Sequence, residues 1–174
     1  MTDPRYPIGK FSFSDPPDQA QREKCINDIE QAPQKLRAAV QGLSDKQFNT
    51  PYRDGGWTVR QVVHHLPESH MNAYIRFKLA LTEDRPMIKP YMEDRWAQLS
   101  DVQATPPQVS LALLECLHAR WVPLLRTLKA DDWKREFEHP ELGAVSLANN
   151  LALYAWHGQH HVAHITELRK RMGW

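Results

Sequence analysis

The chain has 174 residues, with 22 Lys and Arg against 21 Asp and Glu, 41 % apolar and 25 % charged. This length supports one domain (residues 1–174) with its own core, and the near-neutral, interspersed charge excludes nucleic acid and an anionic membrane surface as expected partners. No apolar run approaches the roughly 20 residues of a membrane span, and the first residues lack a signal peptide's apolar stretch, so a cytoplasmic protein is expected.

Residues 1–17 carry four of the 13 prolines and no helical period, which predicts an irregular N-terminal arm. A first helix is predicted from about Asp18 to Val40, with Cys25, Ile29, Leu36 and Val40 on its apolar side, closing at Gly42. Pro33 should kink or split it. Residues 44–57 read as turns with room for one short helix after Ser44. The second helix opens on a Thr-x-x-Gln capping box, Thr58 and Gln61, and runs to about Leu81. Residues 83–106 are rich in proline and charge, with one short helix expected around Met92 to Leu99. A third helix follows Pro106-Pro107 and runs to Leu128. Residues 134–145 fit a loop or small hairpin. The fourth helix spans about Ser146 to Met172 and stops at Gly173. Four long helices make an all-α four-helix bundle the expected fold. Cys25 and Cys116, on separate helices and outside any C-x-x-C pair, are expected as buried small residues.

Seven of the nine histidines fall in two short helical segments, Val62–His70 and Trp156–His164. Imidazole is the commonest protein ligand for zinc and also suits nickel, copper and iron. At ~100° per residue, Leu147, Asn150, Tyr154, His157, Ile165, Leu168 and Met172 fall within about 40° of His161. That face is apolar at both ends and should point inward, which makes His157 and His161 the inward pair. His160 and His164 lie on a stripe shared with Glu167 and Arg171, a flank or helix-helix seam. On the second helix His64 points away from the apolar side and is expected in solvent. His70 faces the apolar side as a hydrogen-bonded core histidine. His65 stands on the border, in line with Gln61, Ser69, Asn72 and Arg76, and is the third candidate ligand. Three neutral imidazoles leave a coordination position open, the arrangement of catalytic rather than structural zinc.

The run D-G-G-W-T-V-R-Q-V-V-H-H-L-P-E-S-H-M-N-A-Y-I-R-F-K (54–78), the run Y-A-W-H-G-Q-H-H-V-A-H-I-T-E-L and the terminal R-M-G-W resemble the YfiT group of the DinB-like superfamily. The resemblance covers nearly the whole chain. It implies a four-helix bundle, often dimeric, acting as a metal-dependent hydrolase on a small-molecule substrate. It also implies one divalent ion, Zn2+ or alternatively Ni2+, held by His65, His157 and His161, the same three that the helical wheels select. Wider relatives transfer low-molecular-weight thiols such as bacillithiol, so the resemblance admits a thiol S-transferase on the same metal site. A bundle in which the metal only clamps helices together is the reading from another class.

The chain departs from the family's H-H-L-A-D-S-H at Pro67 and Glu68. Pro67 removes the hydrogen bond to the Val63 carbonyl and should bend the helix beside His65. Glu68 is the candidate general base or partner of a ligating histidine, with a carboxylate one methylene longer than the family's. Asn72, Arg76 and Tyr154 share the polar or inward stripes and are the candidate substrate contacts, although for Arg76 a surface salt bridge is the preferred reading. Trp57, Trp96, Trp121 and Trp156 are expected to pack the bundle or a dimer seam.

Overall fold

Helices form where the apolar period runs unbroken, and they begin where a side chain caps them. In a computed structural model describing residues 3–13 and 15–174, α1 covers Gln19–Val40, α2 Asp45–Phe48, α3 Val59–Thr82, α4 Glu93–Trp96, α5 Ser100–Ala104 and α6 Pro107–Thr127. A single 3-10 turn, Asp132–Lys134, leads into an antiparallel hairpin of β1 (Glu136–His139) and β2 (Gly143–Ser146), and α7 (Leu147–Met172) closes the chain. Asp18, Ser44, Thr58 and Ser146 cap α1, α2, α3 and α7, and the box of Thr58 and Gln61 is complete. Among the described residues no helix is long and apolar enough to cross a membrane.

The long helices α1, α3, α6 and α7 make a four-helix bundle. Around the bundle α1 packs against α6 and α7, and α3 closes the ring by packing against the same two. Helices α1 and α3 thus sit on one diagonal and α6 and α7 on the other, so two of the three connections must cross an end of the bundle. Pro33 does not split α1, which continues as one helix through it, because a proline removes one hydrogen bond and the flanking turns keep theirs.

The interior is layered. One apolar cluster includes Ile29, Phe77, Trp121, Leu147 and Leu151; a second includes Leu36, Leu66, Leu114 and Ile165. Each of the four helices contributes to both, and between those contributions stand Ala32 and Pro33 on α1, His70 on α3, His118 on α6 and His157 and His161 on α7. A histidine layer is therefore sandwiched between two apolar ones. Residue 158, in this layer, is Gly because α1 comes close. A Cβ there would stand 3.3 Å from the Ala32 Cβ and 3.6 Å from the His70 Cε1. Gly158→Val should lower stability by about 1–3 kcal/mol through overpacking, read as a lower urea midpoint at unchanged slope.

Several expectations need correction. His64 is buried, its Nδ1 2.7 Å from the Ser110 Oγ, because α5 covers a side of α3 that looked open in sequence. Met172 is 53 % exposed, since the last turn of α7 outruns the apolar layer. Arg76 is buried and makes no ion pair among the described residues; its guanidinium meets the Tyr154 hydroxyl at 3.5 Å. Cys116 is exposed and Cys25 half-buried, both as free thiols. Of the tryptophans, Trp121 packs the bundle core as expected, and Trp96 lies exposed against Tyr91, where the bundle alternative does not apply.

Candidate metal centre

The capping box that starts α3 at Thr58 fixes which side of the helix His65 occupies, and the inward face of α7 brings His157 and His161 to meet it. The Nε2 atoms of His65 and His157 are 3.3 Å apart, and one nitrogen from each of the three histidines lies within 4.8 Å of the others. Two nitrogens bound to one zinc at ~2.0–2.1 Å in tetrahedral geometry stand about 3.3 Å apart. The donor set fits a divalent ion.

Burial also sets the charge state that ligation requires. It holds the His65 pKa near 4, and it holds His157 and His161 well below the usual imidazole range, with the neighbouring imidazoles adding to the effect. All three are neutral at pH 7, with a lone pair free for a cation. The buried Nδ1 atoms of His65 and His161 have no hydrogen-bond partner among the described residues.

A cavity of about 1050 Å³ opens from these nitrogens. Trp57 forms one wall, edge-on to His65 with ring centroids 4.7 Å apart and parallel to His161, its indole N–H donating to Asp94. The turn that delivers Trp57 requires Gly56, where a Cβ would lie 2.7 Å from the Arg53 Cγ. Ser69, Arg76 and Tyr91 line the wall nearest α3, and His139 and Glu141 of the hairpin complete the rim. Desolvation raises the pKa values of the half-buried Tyr91 and the buried Tyr154.

The other candidates separate. Arg76 lines the cavity, and Tyr154 lies behind it, buried against His157. Asn72 does not line it and donates to the Glu68 carbonyl at 2.9 Å. Glu68 is half-buried outside the cavity; burial first, then the charge of Asp101, raise its pKa to about 7. His160 and His164 line the cavity's outer flank under the N-terminal arm: Tyr6 tilts against His160, and the Arg5 carbonyl meets the His164 Nε2 at 3.3 Å.

Tyr91, Arg53 and Asp94 were not singled out in the sequence, because they sit in connections with no period to place them. His118 was also missed, although it continues the stripe Leu111, Leu114, Trp121, Val122, Leu125 on α6, and a wheel of that helix would have placed it inward.

Comparison with known proteins agrees with this architecture. The DinB superfamily profile matches residues 28–165. Proteins from Bacillus cereus strain 03BB102 and Bacillus thuringiensis subsp. konkukian, each named "Putative metal-dependent hydrolase", are 55 % identical over 174 residues, covering all of both chains. The structure of YfiT from Bacillus subtilis, described as "a probable metal-dependent hydrolase with an unusual four-helix bundle topology", superposes with a TM-score of 0.96 at 53 % identity, covering 99 % of each chain. A further four-helix bundle protein, TT2238, shares the fold alone, with a TM-score of 0.59 at 18 % identity over 81 % of this chain and 94 % of that one. On the extent and identity of these matches, the chain belongs to the DinB superfamily.

Proposed function

We propose that the protein is a metal-dependent hydrolase in which His65, His157 and His161 hold one divalent ion, zinc suiting an all-imidazole donor set best. The convergence of three neutral imidazoles at the inner end of an open cavity carries this reading. Among the described residues no fourth His, Cys, Asp or Glu joins the group, so a coordination position faces the cavity. A divalent ion bound there supplies the positive charge that makes water or a thiol nucleophilic near neutral pH.

The remaining work falls to the protein. Trp57 and Tyr91 give the cavity aromatic walls. Arg76 supplies a fixed cation near the histidines, suited to an anionic group on a small electrophile. For such a substrate Arg76→Ala should raise KM roughly 10–100-fold, the equivalent of a charged hydrogen bond worth ~1.5–3 kcal/mol.

Thiol S-transfer is the second reading. A cavity of about 1050 Å³ exceeds most small-molecule sites and has room for a thiol and an electrophile side by side. Zinc-loaded protein should be assayed against ester, amide and alkyl-halide panels, with and without added low-molecular-weight thiols. Turnover without thiol supports hydrolysis, and turnover only with thiol supports transfer. No turnover by stoichiometrically loaded protein on any panel, with or without thiol, would overturn both in favour of a structural clamp.

A further inference from the structure

Pro33 has no backbone N–H, so the carbonyl of Ile29 loses the donor that a continuous helix would supply four residues on. Ile29 is fully buried, and water cannot substitute. The carbonyl is taken instead by α6: the His118 Nδ1 lies 2.6 Å from the Ile29 oxygen. The His70 Nδ1 lies 2.9 Å from the His118 Nε2, and the His157 Nδ1 lies 3.3 Å from the His70 Nε2. Two imidazoles, His118 and His70, thus join a broken turn of α1 to the candidate ligand His157.

The chain has only one consistent direction. A carbonyl oxygen only accepts, so the His118 Nδ1 carries the proton. Buried and neutral, His118 then presents its Nε2 as an acceptor, and the His70 Nδ1 must donate to it. The same step passes to His157: its Nδ1 donates to the His70 Nε2, and its own Nε2 is left without a proton. That bare nitrogen is the atom 3.3 Å from the His65 Nε2 and 3.5 Å from the Ser69 Oγ.

We propose that His118 and His70 are positioning residues, which hold His157 in the tautomer whose Nε2 lone pair faces the cavity, with Pro33 setting the direction by freeing the Ile29 carbonyl. Metal-bound imidazoles are ordinarily oriented by a carboxylate or carbonyl on their other nitrogen. Here the carbonyl acts at a distance, through two intervening imidazoles. The three candidate ligands are consequently unequal. Among the described residues the Nδ1 atoms of His65 and His161 are buried without partners, and of the three only His157 is oriented from behind. The relay fixes the tautomer of His157 alone; its bare Nε2 can accept from the His65 Nε2 or from the Ser69 hydroxyl.

The inference rests on the three-histidine metal reading for its consequence, but its first test needs no metal. Full-length protein labelled with 15N at histidine, stripped with chelator at pH 7.5, should show His157 protonated at Nδ1 and bare at Nε2 by two-bond ring correlations. Loss of its signals in His157→Ala assigns them. A proton on the His157 Nε2 in wild type would overturn the relay, whether or not zinc binds. In His118→Leu the Nδ1–H preference of His157 should be lost, and zinc affinity measured by chelator competition should fall about 10–100-fold. His118→Gln, which keeps an acceptor for the His70 Nδ1, should recover most of that affinity. Unchanged tautomer and affinity in His118→Leu would sink the proposal. If wild type holds the tautomer yet binds no zinc, the relay stands and the metal reading fails.

Discussion

Stripping the metal should lower the melting temperature by roughly 8–16 °C. This follows because an ion present at 1,000 times its dissociation constant adds ~4.1 kcal/mol, and each kcal/mol shifts a domain of this size by ~2–4 °C. An ion held by His65, His157 and His161 would bridge α3 and α7 across the middle layer, between the two apolar clusters. Purified without a histidine tag, wild type should carry about one equivalent of metal, and His157→Ala, His161→Ala and His65→Ala should carry none. His64→Ala provides the control. That histidine neighbours His65 in sequence, but its Nδ1 is engaged with Ser110 on the opposite side of α3. The variant should lose stability, because it removes a buried side chain and orphans a hydroxyl, and still bind metal. Equal metal loss in His64→Ala would reject the ligand assignment. A large thermal shift without any turnover would instead favour the clamp.

Metal-free protein should unfold on mild acidification, losing stability as the pH falls from about 6.5 towards 4. Burial holds the pKa values of His65 and His118 near 4 in the fold, against ~6.5 in an unfolded chain. Across this window the unfolded state binds more protons, so stability rises with pH and is lost as pH falls. For His118 alone the full effect is roughly 3 kcal/mol. His70, His157 and His161 are depressed in the same direction by desolvation and mutual repulsion. Only a few such groups suffice to exhaust the ~5–15 kcal/mol typical of a domain. The helical circular dichroism signal of chelator-treated protein should collapse before pH 4, whereas zinc should move the midpoint to lower pH. A melting temperature that stays flat between pH 7 and 5 would show that the imidazole layer is wetter than its burial implies.

The elements and the three converging histidines were legible in the sequence for one reason: both rest on local periodicity. Thr58 and Gln61 mark a helix start without reference to any partner, and the ~3.6-residue period then fixes which side His65 takes. The same period selects His157 and His161. What it does not reveal is who comes to meet a face. His64 was expected in solvent because α5 lies 36 residues away in the chain, with no pattern tying it to α3. Arg76 read as a surface residue because its cover, the connection through Tyr91, is irregular. The partnership of His118 with Ile29 depends on a missing N–H at Pro33, visible only once two helices are side by side. The arm over His160 and His164 carries no period at all.

The cavity divides labour along the chain. Its candidate donors stand on α3 and α7, where layered packing holds them, yet each of the three connections between long helices supplies part of the rim: Tyr52 to Trp57 from the first, Tyr91 to Arg95 from the second, His139 to Leu142 from the third. Connections tolerate substitution and changes of length far better than packed helices do. If the three histidines hold a catalytic ion as proposed, descendants of one ancestral chain could exchange the molecule they act on by rewriting three surface segments, while the candidate donors stay where they are. Chimaeras that swap only residues 83–106 between relatives should carry substrate preference with them and leave metal stoichiometry at one.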